Sequence, residues 1–222
     1  GLALKYLGDL SYRAGRNQEA AEHYRQALAA GFRHPDTLAN LAAISARLGR
    51  PAEAIRTLEE AVAREPGAAD LWNQLGILHG TSRNPRQARR AFLRAIELSP
   101  TSAEPYYNLA LIDRREGDLS SARSRLQLAL DRNPRYPDAH FELGNVYLAE
   151  RRLPDALAAY QLALAARPDY PEALFSAAHV EGLLGQPAEA ARHYQRFIAV
   201  APPAYREQIA LARRELARLT TR

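Results

Sequence analysis

Cysteine and methionine are absent from this sequence of 222 residues, and lysine occurs only once, as Lys5. Without cysteine the chain has no disulfide framework, no thiolate nucleophile and no cysteine-based metal site. No apolar run approaches the roughly 20 residues that a membrane-spanning helix requires. The sequence therefore predicts a protein with no disulfide framework and no membrane span.

Arginine supplies nearly all of the positive charge, and the formal net charge is +5. Because guanidinium groups bind phosphate and carboxylate in a bidentate way, this bias could indicate recognition of such groups. An alanine- and arginine-rich composition with almost no lysine is also typical of a GC-rich bacterial gene. We favour the compositional interpretation, which predicts a bacterial protein and leaves its ligand open.

Signatures of catalysis are missing as well. The sequence contains no G-x-S-x-G elbow, no phosphate-binding glycine loop and no dinucleotide fingerprint. The six histidines are scattered without a metal-binding spacing, at His23, His34, His79, His140, His179 and His193. We therefore predict a protein that is not an enzyme and that holds no metal and no cofactor.

What the sequence does contain is a repeat of 34 residues, present six times without insertion. Alanine recurs at this spacing as Ala20, Ala54, Ala88, Ala122, Ala156 and Ala190. Proline recurs as Pro66, Pro100, Pro134, Pro168 and Pro202. Repeats of this length are stacked units, each of which buries its apolar face only against its neighbours. A chain built in this way usually offers a long surface to a partner.

Each repeat contains two amphipathic helices, predicted at repeat positions 2–14 and 18–30 when Gly1 is position 1, because apolar residues follow an i, i+3, i+4, i+7 spacing. Position 8 is always Gly or Ala, which predicts that a second backbone approaches there. Glycines at position 15, such as Gly49 and Gly117, are predicted to end the first helix in a left-handed conformation. Prolines such as Pro51 and Pro187 are predicted in the first turn of the second helix.

The predicted repeats span residues 1–34, 35–68, 69–102, 103–136, 137–170 and 171–204, followed by a capping helix at 205–222. The chain begins in phase with the first repeat and without methionine. We therefore expect a fragment that is truncated at its N-terminus, and the compartment, cytoplasmic or periplasmic, stays open. Exposed end faces of such a stack can pair, which allows a homodimer.

The third repeat resembles the tetratricopeptide repeat family most clearly. The matching residues are Trp72, Leu75, Gly76, Ala88, Phe92, Ala95 and Pro100. The resemblance implies an all-α, right-handed α-solenoid, or superhelix, of six helix-turn-helix repeats. It also implies a concave groove that binds peptides or proteins and is lined by repeat positions 2, 5, 6, 9, 12 and 13 of the first helices.

These positions give the predicted peptide-binding residues. They are Asn40, Asn73, Gln74, Tyr107, Asn108, Arg115, Phe141, Asn145, Phe175 and His179. Amide side chains donate and accept hydrogen bonds, so a row of them can bind an extended peptide backbone. The row is similar in part to the asparagine ladder of protein O-linked N-acetylglucosamine transferases, although Tyr6, Glu142 and Ser176 interrupt it. The aromatic residues lie off the predicted core stripe, which favours their role as binding anchors.

Charged residues at the predicted groove leave two interpretations open. Position 2 is acidic in five repeats and position 13 carries several arginines, which could orient a dipolar peptide. The same pattern follows from the helix macrodipole, which we favour. A carboxylate clamp of the kind found in chaperone-binding tetratricopeptide domains is not expected. Lys5 and Asn40 match it, but Asp9 and Asp70 would repel a carboxylate.

Three functions remain open at this stage. The first is a non-catalytic scaffold that binds a peptide or partner protein in the groove. The second is a substrate-recruiting or assembly module of a larger enzyme, linked to a glycosyltransferase or a hydrolase. The third and least favoured is nucleic-acid binding through an arginine cluster. This cluster comprises Arg83, Arg86, Arg89, Arg90 and Arg94, and we favour its interpretation as a solvated face.

Overall fold

The computed structural model describes residues 1–220, and within them the regular structure is helical. The first six helices are α1 (Leu2–Arg13), α2 (Asn17–Ala29), α3 (Pro35–Arg47), α4 (Pro51–Arg64), α5 (Ala69–Thr81) and α6 (Pro85–Leu98). The others are α7 (Glu104–Glu116), α8 (Leu119–Arg132), α9 (Pro137–Ala149), α10 (Leu153–Ala166), α11 (Pro171–Leu183), α12 (Pro187–Val200) and α13 (Arg206–Thr220). A short 3-10 helix, Pro203–Tyr205, precedes α13.

Twelve of these helices form six helix-turn-helix pairs, in which odd-numbered helices are the first and even-numbered helices the second of each repeat. The chain divides into two compact units, Gly1–Asn108 (unit 1) and the part from Leu109 onward (unit 2). In unit 1, α1 to α5 each pack against the next helix along the chain, and in unit 2 the same holds from α8 to α13. The all-α fold of stacked helix pairs is as predicted.

The alanines at repeat position 20 allow the two helices of each pair to pack closely. All six of them have no solvent exposure: Ala20, Ala54, Ala88, Ala122, Ala156 and Ala190. A large residue at position 24 of the same helix is buried beside them, for example Tyr24 in α2 and Tyr160 in α10. Small and large side chains therefore alternate along the buried face of each second helix, which allows dense helix packing.

The neighbour that requires glycine at position 8 differs from the one predicted. A Cβ atom on Gly8 would stand 2.6 Å from the ring of Tyr24, and one on Gly144 would stand 2.5 Å from the ring of Tyr160. The neighbour that excludes a larger side chain is therefore an aromatic ring of the second helix. The expectation of a second backbone at this point was wrong.

The turns between the paired helices follow the sequence. Gly49 has φ 72° and Gly117 has φ 84°, so the predicted left-handed ends of the first helices are confirmed. Pro51 and Pro187 begin α4 and α12, also as predicted. Two repeats place arginine at the left-handed position, Arg83 with φ 59° and Arg151 with φ 60°, a conformation that is strained for a residue with a Cβ.

The final helix covers the end of unit 2. Ala212 of α13 is fully buried, and the Tyr205 hydroxyl donates a hydrogen bond to Glu172 of α11. The ring of Tyr205 meets the ring of Phe197 edge-on, with centroids 6.3 Å apart. This agrees with a cap up to residue 220, whereas the predicted cap residues 221–222 lie outside the described part of the chain.

Candidate functional site

A cavity of about 610 Å³, open to solvent, lies on unit 1 and is bordered by α1, α3 and α5. We call this surface the first-helix face of unit 1. Two predicted groove residues, Asn40 and Gln74, line the cavity. Its charged residues are Lys5, Asp9, Arg13, Asp36, Glu65 and Asp70. The size is within the range of ordinary ligand pockets, about 300–1,000 Å³.

A second cavity, of about 340 Å³, lies between α3 and α5 and also borders on Asn40 and Gln74. Its other lining residues are all apolar: Ala39, Ala42, Ala43, Leu58, Ile77 and Leu78. Ile77 keeps 42% of its surface exposed, so this cavity presents aliphatic surface to solvent. The first-helix face of unit 1 thus has a charged cavity and an apolar cavity with two amide side chains common to both.

An internal hydrogen-bond network neutralises one end of the charged cavity. The Lys5 ammonium lies 2.6 Å from Oδ2 of Asp9, and the Tyr24 hydroxyl donates to Oδ1 at 2.7 Å. Burial acts to raise the pKa of Asp9, but the hydrogen bonds from Lys5 and Tyr24 outweigh it, and the pKa is lowered. The hydrogen bond to Asp9 raises the pKa of Lys5. Both groups are therefore charged at neutral pH and compensate each other.

The predicted amide ladder is divided between accessible and occupied side chains. Gln74 is exposed, and Asn40 is half-buried, with Nδ2 donating to the Tyr24 hydroxyl at 3.4 Å. Asn73 is only 7% exposed. Its Oδ1 accepts a hydrogen bond from Asn108 at 3.2 Å, and its Nδ2 donates to Glu104 at 3.0 Å. Asn73 and Asn108 are thus hydrogen-bonded to each other, while Asn40 and Gln74 line the cavities.

The predicted aromatic anchors are half-buried, and two of them belong to the core of unit 2. The Phe141 ring lies 5.2 Å from the Tyr170 ring, centroid to centroid, and the Phe175 ring lies 5.2 Å from that of Phe197. The expectation that these two side chains lie off the core was therefore wrong, because Phe141 and Phe175 pack against rings of the second helices α10 and α12. Tyr107, in unit 1, is half-buried.

The remaining predicted residues lie on the first helices of unit 2. Arg115 and His179 are exposed on α7 and α11. Asn145 is half-buried on α9, where Oδ1 accepts from the Tyr160 hydroxyl at 2.9 Å and Nδ2 donates to Glu142 at 3.3 Å. The structure places Arg115 and His179 in contact with solvent, and it gives Asn145 internal partners.

The acidic residues at repeat position 2 join neighbouring helices. Asp138 pairs with the Arg167 guanidinium at 2.9 Å and accepts from the Tyr170 hydroxyl at 2.9 Å. Glu172 accepts from Tyr205 in the same manner. Both acids lie in the first turn of their helices, as the macrodipole favours. The sequence indicated the helix dipole. The bonds that Asp138 and Glu172 make to side chains following the second helices are an additional role that it did not predict.

The arginine cluster lies on and before α6. Arg83 occupies the turn with positive φ, and Arg94 forms an ion pair with Glu97 at 2.9 Å. Arg86 and Arg90 are exposed, and Arg89 is half-buried. The cluster is therefore a mixed surface in which part of the charge has a local partner.

Among residues 1–220 no helix is long and apolar enough to cross a membrane. Over the same part of the chain no group of three or more histidine or acidic residues could hold a metal ion.

Family models agree with this architecture. One model described as "Tetratricopeptide repeat" matches residues 73–124 and 107–171, and a second with the same description matches residues 11–77. The matches together extend from residue 11 to residue 171. A comparison with curated proteins finds no match.

Several solved structures are similar in fold. PilW, a widely conserved type IV pilus biogenesis factor, has a TM-score of 0.80 and 20% identity over 94% of this chain and 97% of its own. PilF of Pseudomonas aeruginosa has a TM-score of 0.79 and 21% identity over 94% and 96%. YrrB, a tetratricopeptide protein with an unusual peptide-binding site, has a TM-score of 0.61 and 18% identity over 82% and 94%. These likenesses confirm the predicted superhelix fold class, and the chain belongs to the tetratricopeptide repeat family.

Proposed function

We propose that this protein is a non-catalytic interaction module whose first-helix faces bind a peptide or a segment of a partner protein. Tetratricopeptide repeat proteins mediate protein–protein interactions. The observation that supports this site is the cavity of about 610 Å³ in unit 1, where Asn40 and Gln74 offer amide groups to a ligand. A peptide backbone carries one donor and one acceptor per residue, and amide side chains match both.

The first helices of unit 2 supply a further set of accessible groups. Arg115 and His179 are exposed there, and Asn145 lies on the helix between them in sequence. Phe141 and Phe175 form the half-buried floor of this face through their contacts with core rings. We propose that this face contributes polar contacts to the partner, with Phe141 and Phe175 acting mainly by holding the first helices in place.

Partner capture from a native lysate, with mass spectrometry, tests the proposal. The informative variant is Asn40→Ala with Gln74→Ala and Tyr107→Ala, because these side chains are accessible and none is in the buried core. A matched control is Gln87→Ala with Gln127→Ala, two exposed amides on second helices. We expect the groove variant to lose the partner and the control to retain it.

Equal capture by the groove variant and the unchanged protein would contradict the proposal. Phe141→Ala is unsuitable for this experiment, because truncating a ring that packs against Tyr160 and Tyr170 would destabilise unit 2. Thermal unfolding of each variant, followed by circular dichroism, establishes that the lost binding does not arise from lost structure.

A further inference from the structure

The apolar cavity of unit 1, of about 340 Å³, has room for an aliphatic side chain and opens on the same face as the charged cavity. The side chain of Ile77 is 42% exposed there, above the buried Leu58. Covering such a surface removes apolar area from water, which stabilises a complex in proportion to the area buried. A Leu, Ile or Val side chain of a ligand matches this lining.

The charged cavity is acidic once its internal pair is set aside. Lys5 and Asp9 compensate each other at 2.6 Å. The carboxylates of Asp36, Glu65 and Asp70 then remain against the single guanidinium of Arg13 among the lining residues. All four of these residues are exposed, so their charges are accessible to a ligand. A lysine or arginine side chain complements this cavity, whereas an acidic side chain would be repelled.

The amides common to both cavities define how a ligand would run between them. Asn40 and Gln74 line the charged cavity and the apolar cavity alike. In an extended peptide, side chains two residues apart point to the same side and lie roughly 7 Å apart. A peptide backbone that binds these amides can therefore direct one side chain into each cavity.

We infer that unit 1 recognises an extended peptide segment with an aliphatic residue and a basic residue two positions apart, the first seated by Ile77 and the second facing Asp36 and Asp70. This inference rests on the proposed function, since it specifies the ligand of the same face. It assigns specificity to three residues at repeat positions 2 and 9 that are not among the ten predicted peptide-binding residues.

A selection from a random heptapeptide display library, carried out on the full chain, tests this inference. We expect the enriched peptides to contain Leu, Ile or Val two positions from Lys or Arg. The most enriched peptide, synthesised with a fluorescent label, is then titrated by anisotropy against the unchanged protein and against Ile77→Ser and Asp36→Asn/Asp70→Asn variants. Each variant should raise the Kd by about fivefold or more, as expected when a binding anchor is removed.

Matched control variants show whether the loss of peptide affinity is specific to the two cavities. Leu93→Ser replaces an aliphatic residue of similar exposure, 44%, on α6. Glu22→Gln with Glu59→Gln removes two exposed carboxylates from second helices. Both controls should leave the Kd unchanged. Raising the salt concentration should weaken binding to the unchanged protein more than to the Asp36→Asn/Asp70→Asn variant, because exposed charges are screened.

The outcomes distinguish this inference from the proposed function. Enriched peptides that require Asn40 and Gln74 but lack the aliphatic–basic pair, that are acidic, or that bind as helices would overturn the inference and leave the proposed function standing. Enriched peptides that bind the Asn40→Ala/Gln74→Ala variant as tightly as the unchanged protein, or no enrichment at all, would overturn both.

Discussion

The α-carbon of Gly76 faces the ring of Phe92 so closely that a Cβ atom at residue 76 would stand 2.5 Å from Cε1 of that ring. Phe92 is only 3% exposed, so its ring has little space to withdraw. Where the residue at position 24 is leucine instead, as in Leu58 and Leu126, position 8 holds alanine. Ala178 opposite Tyr194 departs from this rule, and nothing in the structure explains that exception.

Gly76→Ala should therefore destabilise the protein even though alanine is the better helix former. Overpacking a dense core typically costs about 1–3 kcal/mol, against about 1 kcal/mol gained from helix propensity. We expect a lower midpoint of chemical unfolding for Gly76→Ala. We also expect the double variant Gly76→Ala/Phe92→Leu to lose less stability than the sum of the losses of the two single variants. Gly80→Ala is the control on the same helix, because its Cβ would stand 3.9 Å from the nearest atom, in ordinary contact. A stabilising Gly76→Ala would contradict this account.

Arg83→Gly and Arg151→Gly should each stabilise the chain. Both arginines have φ near 60° at the position where other repeats have glycine. Left-handed backbone costs a non-glycine residue about 1–3 kcal/mol, and the extra flexibility of glycine in the unfolded chain offsets about 0.5–1 kcal/mol of that gain. We expect higher thermal midpoints for both variants. The reverse change, Gly117→Ala at φ 84°, should lower the midpoint, and a lower midpoint for Arg83→Gly would refute the strain argument.

Sequence periodicity was sufficient to predict the helices and the turns, because each helix pair depends on local signals. The positive φ of Gly117 and the helix start at Pro51 follow from residue type at one position. The same periodicity could not predict which groove side chains are occupied. Asn73 and Asn108 lie 35 residues apart and bond to each other, so their accessibility depends on the register of two different repeats.

The amphipathic stripe did not predict the burial of side chains at repeat position 5. It lies beside the stripe on a helical wheel, yet Phe141 and Phe175 are long enough to reach the rings of the second helices. The periodicity also did not predict the polar pair between positions 11 and 23, such as Asp113 with Arg125 at 2.9 Å. Such pairs vary in chemistry from repeat to repeat, so they leave no constant residue in an alignment of the six copies.

Asp118 should make stability depend on pH only in the acidic range. Hydrogen bonds from Ser121 and then Ser120 lower its pKa from 3.8 to about 2. Since the folded pKa lies below the unfolded one, the charged carboxylate stabilises the fold above pH 3.8, and this contribution disappears as the pH falls through 2. Asp118→Asn keeps the capping oxygen and removes the titration. Urea unfolding between pH 7 and pH 2 gives the free energy of unfolding of both proteins. The difference between these two free energies should shrink below pH 4, and a difference that stays constant would contradict the assignment.

In the polypeptide of residues 1–222, the exposed apolar face of α1 should mediate association between two copies. In the second repeat, positions 7 and 10 are buried against α2, with Leu41 2% exposed and Ile44 fully buried. In the first repeat the same positions are exposed, at 46% for Leu7 and 59% for Leu10. An apolar stripe of this kind can pair with its own copy about a twofold axis, which buries both stripes at once.

Light scattering after size-exclusion chromatography measures this association directly. We expect a dimer that becomes populated as the concentration of the chain rises, and we expect Leu7→Glu with Leu10→Glu to leave only the monomer. Leu162→Glu is the control, because this leucine is exposed to a similar extent, 53%, on the second helix α10. A monomer at every concentration for the unchanged chain would show that α1 does not join two copies. A dimer that persists in the Leu7→Glu/Leu10→Glu variant would place the contact on another surface, since two carboxylates cannot be buried in an apolar interface without a large desolvation cost.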